Sequence, residues 1–188
     1  MTNKRNAKAA RRAARGAQTR RGLPAWVVVT AILAVIGIVF AFDQWRLAQL
    51  PGDHYPSQGN IHIPSPSTPH PPYSSRPATS GWHLSALAPW GETANVYPDQ
   101  LLVHNLEDGG VLVAYDPARV ANPERARARE FLQALPRGLD HIVFGPYPAL
   151  ESPWALVAWT RLARMDEFDS ALAGRFIDAY RFKDNHPR

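Results

Sequence analysis

Leu101 to Asp116, LLVHNLEDGGVLVAYD, is the stretch whose reading decides the fold. Two apolar runs are joined by Glu107-Asp108-Gly109-Gly110, and His104 sits inside the first run. Asp-Gly favours a two-residue hairpin turn because both positions tolerate positive φ. On that reading Leu106 pairs with Val111, His104 with Val113 and Leu102 with Tyr115. Leu101, Val103, Leu112 and Ala114 then fill the opposite face. Both faces are largely apolar, which predicts a central pair of strands covered on each side. The hairpin competes with a shared ion site for His104 and Asp108, which a wider, irregular turn at 105–110 would allow. In a straight strand His104 and Asp108 stand roughly 13 Å apart. On a helical turn residues i and i+4 converge and can share one ion.

Downstream, Asn122-Pro123-Glu124 reads as a helix start, with a proline and an acid in the first turn. Ala128, Phe131, Leu132 and Leu135 form its apolar stripe, and the segment from Pro136 to Gly138 ends it. His141 to Phe144 and Trp154 to Thr160 read as strands. Asp166 or Asp169 caps a last helix, with Ala173, Phe176, Ile177 and Tyr180 at helical spacing. Residues 77–188 are therefore expected to form an α+β domain, a compact and mainly antiparallel sheet with two helices.

Upstream, Pro51 to Pro77 contains eight prolines. Proline fixes φ and biases the residue before it to extended geometry. Residues 46–76 are thus a semi-rigid linker or an extended segment lying on the domain. Gly59-Asn60-Ile61-His62-Ile63 is its most strand-like piece. Leu23 to Phe42 has no charged residue and, at helical rise, covers about 30 Å, the thickness of a bilayer core. Trp26 and Trp45 flank it as interfacial anchors do, so residues 23–45 read as a transmembrane helix in the lipid bilayer. A cleaved signal peptide is the rival. The run is longer than a usual signal core, and no small-x-small cleavage site follows it.

Charge is segregated along the chain. Eight of the 21 basic residues precede the apolar run, and all 16 acids follow it. Residues 1–22, a solvated basic arm, carry +8, whereas the chain beyond residue 42 is net negative at −3. Such an arm next to a span marks the cytoplasmic side. The expectation is a single-pass cell-membrane protein, with its N-terminus cytoplasmic and its C-terminal domain outside. A nucleic-acid partner is not expected; a cell-envelope protein partner is. The chain has no cysteine, which excludes disulfides, thiolate metal sites and cysteine nucleophiles. Ser80 and His83 lack a GxSxG context and a third partner, so no catalytic residues are assigned and an enzyme is not the expectation.

Several pieces together resemble the bacterial domain-of-unknown-function 3105 family. They are Gly59-Asn60-Ile61-His62-Ile63, Pro77-Ala78-Thr79-Ser80-Gly81-Trp82-His83, Val103 to Val111, Gly145-Pro146-Tyr147-Pro148, and Ala158-Trp159. The family pattern has a histidine near the start, a Pro-Pro-x-x-Gly-x-His loop and His-x-Leu-Glu-His-Gly. Here Asp108 stands at the second histidine of that last element, and Arg76-Pro77-Ala78 replaces the proline pair. The resemblance implies a membrane-anchored or secreted protein and a shared site for His62, His83 and His104, with Asp108 as an oxygen ligand; Glu107 is the other carboxylate near the imidazoles. Imidazoles suit a copper or zinc ion. By default a histidine between Val103 and Leu106 is a hydrogen-bonded core residue. The alternative function is accordingly an envelope interaction module whose histidines are structural.

Overall fold

The computed structural model describes residues 23–186. The basic arm, residues 1–22, lies outside the described residues. The chain divides into two compact units, one through Gln49 and one from Leu50. The first holds helix α1 (Ala25–Ala48). Its stretch Ala25–Asp43 has mean hydropathy 2.7 and no buried residue, so it is long and apolar enough to cross a membrane.

The second unit is α+β. Its elements in chain order are β1 (Asp53–His54), β2 (Gly91–Glu92), α2 (Asp99–Glu107), β3 (Val111–Tyr115), α3 (Asn122–Ala134), β4 (Ile142–Pro146), β5 (Trp154–Ala158), β6 (Arg161–Met165) and α4 (Ser170–Tyr180). The sheet order is β1-β6-β5-β3-β4-β2. Strands β1, β6, β5 and β3 pair antiparallel, and β4 runs parallel to β3 and β2. Helix α3 makes the crossover that a parallel β3–β4 pair requires.

Strand β3 is central and buried along its whole length. Its residues alternate between two cores, as a period of two demands. Val111, Val113 and Tyr115 meet Ala128 and Leu132 of α3 and Ala173, Phe176 and Ile177 of α4. Leu112 and Ala114 share the other core with Leu102 and Leu106 of α2. The second apolar run is thus the covered central strand its composition predicts.

The first run is not its hairpin partner. Leu101 to Glu107 belongs to α2, so the domain has three helices rather than two, and the pairings of Leu106, His104 and Leu102 with β3 do not form. A short apolar run cannot be assigned by period alone; here the flanking residues settle it. Pro98 precedes the helix in extended geometry, and Asp99 puts an acid in the first turn, where the helix dipole favours it. Asp108-Gly109-Gly110 closes the helix. The Gly110 N–H donates to Asn105 O (2.7 Å), and that of Gly109 to Leu106 O (3.2 Å). This is the 6→1 and 5→2 pattern of a Schellman cap, with Gly109 at φ +77°. The Asp-Gly pair read as a hairpin tip is a helix stop.

Other boundaries shift less. Helix α3 starts at Asn122 with Pro123 in its first turn, while the cap position is Ala121 and offers no side-chain bond. Asp169 caps α4, accepting from the Ala171 and Leu172 N–H groups. Strand β6 is new. Leu162 turns to one core and Ala163 and Met165 to the other, while Arg161 is buried and Arg164 pairs with Glu151 at 2.8 Å.

The Pro-rich segment lies on the domain. Asp53 and His54 pair with β6. Farther along, Gln58 is held by Ser80 Oγ, Pro72 O and the Ser74 N–H. Gly59 to Ile63 runs parallel to Gly81–His83, tied by Gly81 N to Gly59 O, His83 N to Ile61 O and Ile63 N to His83 O, at 2.7–3.0 Å.

Candidate metal centre

That parallel pairing sets His62 directly opposite His83. Residues paired in this way project to the same side, and the two rings meet edge-on with centroids 4.8 Å apart. Helix α2 brings the third imidazole. His104 lies 5.1 Å from His62 and 5.2 Å from His83, ring centre to ring centre, which completes a near-equilateral triangle. Glu107, one helical turn beyond His104, points into the same space. One ligand atom from each of His62, His83, His104 and Glu107 fits within 4.8 Å of all the others.

The helix that presents His104 and Glu107 is pinned along its length. At its start Asp99 accepts from Tyr147 Oη (3.0 and 2.9 Å) and from the Ala78 N–H (3.3 Å). Burial raises the pKa of Asp99, and the Tyr147 hydrogen bond opposes that shift. In mid-helix the buried Asn105 makes a reciprocal pair with the Ala88 backbone, donating to its carbonyl and accepting from its N–H, both at 2.9 Å. The loop that presents His83 is thereby fixed to the helix that presents His104.

Around Glu107 the hydrogen-bond inventory is one-sided. Its Oε1 accepts from Asn60 Nδ2 at 2.8 Å. Its Oε2 faces four imidazole nitrogens among the described residues: His83 Nε2 at 2.9 Å, His186 Nε2 at 3.6 Å, His62 Nε2 at 3.7 Å and His104 Nδ1 at 4.0 Å. The side chains of His83 and Glu107 are fully buried. His83 Nδ1 lies 2.7 Å from Gly81 O. A carbonyl oxygen only accepts, so Nδ1 carries the hydrogen and Nε2 of the neutral ring presents a lone pair. That lone pair meets a carboxylate oxygen. Two acceptors in direct contact require a cation between them, a proton or a metal ion. His104 Nδ1 is buried and has no hydrogen-bond partner among the described residues. Burial lowers the pKa of His104; Asp108 opposes this, and the neighbouring His83 and His62 reinforce it. The ring is therefore biased toward the neutral form that offers a lone pair.

Asp108 stands beside this quartet, at the other edge of the His104 ring. Its Oδ2 lies 3.9 Å from His104 Nε2, while Nδ1 faces Glu107. Glu107 and His186 also face this cluster. Glu107 stands in the turn region as a neighbour of Asp108, and only the helical register turns it inward. His186 arrives from the far end of the domain, with no local pattern to announce it. Its pKa is raised, first by the hydrogen bond to Asp184. Ser80 is engaged elsewhere, its Oγ accepting from the Gln58 N–H at 3.0 Å.

No curated protein and no solved structure matches the chain. A family model described as protein of unknown function (DUF3105) matches residues 68–188, a range that includes His83, His104, Glu107, Asp108 and His186, with His62 just before it. Since that match covers well over half of the sequence and takes in strands β2 to β6, helices α2 to α4 and most of the histidine cluster, the chain belongs to the DUF3105 family.

Proposed function

We propose that the domain binds one divalent transition-metal ion, zinc(II) or copper(II), through His62, His83, His104 and Glu107, with Asp108 at the rim. The observation that supports this most directly is the unpartnered His104 nitrogen beside the buried His83–Glu107 contact. His83 Nε2 faces Glu107 Oε2, and His104 Nδ1 has no partner. A single proton satisfies the first and leaves the second orphaned; a metal ion satisfies both. Tetrahedral ligands at about 2.0–2.1 Å from zinc are about 3.4 Å from one another. The separations around Oε2, 2.9–4.0 Å, bracket that value, so small side-chain movements would close the shell. Three nitrogens and one oxygen, without sulfur, suit zinc or copper(II). The set is too nitrogen-rich for calcium or magnesium, which prefer oxygen. The far nitrogen of His83 donates to the Gly81 carbonyl, as the far nitrogen of a metal-binding histidine commonly does.

The test uses the full-length chain in detergent, stripped with a chelator and then supplied with zinc(II) or copper(II). We expect close to one ion per chain by elemental analysis and a higher melting temperature with metal than without. Absence of both, at every pH from about 5 to 8, overturns the reading.

The same reading puts the domain outside the cytoplasm, on a single-pass anchor formed by α1. It rests on the eight basic residues before the apolar run and the absence of acids there. A reporter that works only outside the cytoplasm, fused after Arg188, is then expected to be active. Activity of a cytoplasm-dependent reporter at the same position would exclude this topology.

A further inference from the structure

We propose that residues 181–186 form a strap that closes the metal centre, with His186 as an additional ligand oriented by Asp184; the inference rests on the metal-binding reading above.

The strap is bonded to the end of the helix that holds the site. A helix C-terminus leaves carbonyls without intrahelical partners. The Asn185 N–H takes that of Glu107 at 2.9 Å, Asn185 Nδ2 takes that of Leu106 at 3.2 Å, and the Phe182 N–H takes that of Gly109 at 2.7 Å. Contact is close enough to require glycine beneath it. A Cβ at Gly109 would come within 2.6–2.8 Å of the Lys183 backbone. The start of the strap is fixed independently of the site. Arg181 donates to Pro136 O and Gly138 O, and the Phe182 ring packs on His141 at 4.8 Å.

These anchors deliver His186 to the open side of the cluster. His83 and Glu107 are sealed, whereas the His62 and His186 side chains are each nearly half exposed. Asp184 Oδ1 lies 2.6 Å from His186 Nδ1. The carboxylate accepts the Nδ1 hydrogen and leaves Nε2 as the ligating nitrogen, the carboxylate–histidine–metal arrangement that orients metal-binding rings. That Nε2 is 3.6 Å from Glu107 Oε2 and 3.6 Å from Asp108 Oδ1. This is too long for a hydrogen bond and close to the spacing of two ligands on one ion. The arrangement repeats that at His83. In each case the far nitrogen donates to a fixed oxygen and the near nitrogen faces a carboxylate. An ion held this way would be bound deeply by His83 and Glu107 and released through the strap.

The experiment compares wild type, His186→Ala, Asp184→Asn, His104→Ala and, as control, His54→Ala, all as full-length chains in detergent. Zinc(II) affinity is read by competition with a chromophoric chelator, and strap docking by the rate of tryptic cleavage after Lys183 with and without zinc. We expect His186→Ala to bind zinc about tenfold or more weakly and Asp184→Asn to show a smaller loss in the same direction. Zinc should slow cleavage in wild type and His54→Ala, and not in His186→Ala. Wild-type affinity in His186→Ala, or cleavage in wild type that ignores zinc, overturns the strap. If His104→Ala abolishes binding in that same experiment, the metal site survives without it. A wild-type chain that takes up no zinc removes both readings.

Discussion

His104→Ala is expected to abolish the metal-dependent part of the domain's stability while leaving most of the metal-free stability in place. With free metal at about a thousand times the dissociation constant, binding adds about 4 kcal/mol to the folded state. In a domain of this size that is a melting-temperature rise of roughly 10–15 °C. The alanine variant should show little of it, because the triangle of His62, His83 and His104 loses a corner. A core histidine behaves differently: its removal lowers stability equally with and without metal. Thermal unfolding of both chains, each with and without zinc, separates the two roles, and equal losses in both conditions would exclude His104 as a ligand.

pH gives a second handle on the same residue. Burial holds the His104 pKa below its ordinary value near 6.5. The unfolded chain therefore binds this proton first as pH falls. The stability His104 contributes is complete above about 6.5 and is lost as pH drops through its folded pKa. Metal uptake weakens in the same direction, since each ligating ring must be neutral. The metal-free alanine variant should have a flatter stability profile between about pH 7 and 5 than metal-free wild type.

What could be read from the sequence follows from which interactions are local. Asn122-Pro123 and Asp169 mark helix starts through bonds and φ preferences that involve only neighbouring residues, and both helices form there. Strand β3 is legible because a covered strand needs an unbroken apolar run. Leu101 to Glu107 is not, because seven residues are too few for period to separate helix from strand. The same Asp-Gly pair serves a hairpin and a Schellman cap equally well. Strand β6 is hidden by Arg161 and Arg164, whose guanidiniums find Gly52 O and Glu151 only in the folded chain. The convergence of His62 with His83 depends on a parallel pairing across 21 positions, and His186 on a strap that returns from the opposite end of the domain. No local rule reaches that far. The resemblance to the family supplied the three histidines, while choosing between Glu107 and Asp108 required the helical register. One residue of difference along α2 decides which carboxylate enters the buried cluster and which stays at its rim.

Glu107→Gln is expected to separate folding from binding at this site. Glutamine has the size and shape of the glutamate it replaces. Its Oε1 can keep the hydrogen bond from Asn60 Nδ2, now 2.8 Å long. Its Nε2 would take the place of Oε2, 2.9 Å from His83 Nε2, and donate to the lone pair that the Gly81 bond leaves there. The variant thereby removes a buried carboxylate and supplies the missing donor between two acceptors. Leaving a buried polar group unmatched costs about 1–3 kcal/mol. The metal-free variant should therefore be at least as stable as metal-free wild type at pH 7. For the ion the change is adverse. An amide nitrogen directed into the site has no lone pair to give and no negative charge to offset the metal. Zinc affinity should fall by more than about a hundredfold, beyond the loss typical of outer-shell changes. Chelator competition and thermal unfolding of the same preparations read the two effects together. A variant that is less stable without metal would mean that the carboxylate itself holds the cluster. A variant that binds zinc as tightly as wild type would remove Glu107 from the ligand set and leave the three imidazoles to hold the ion.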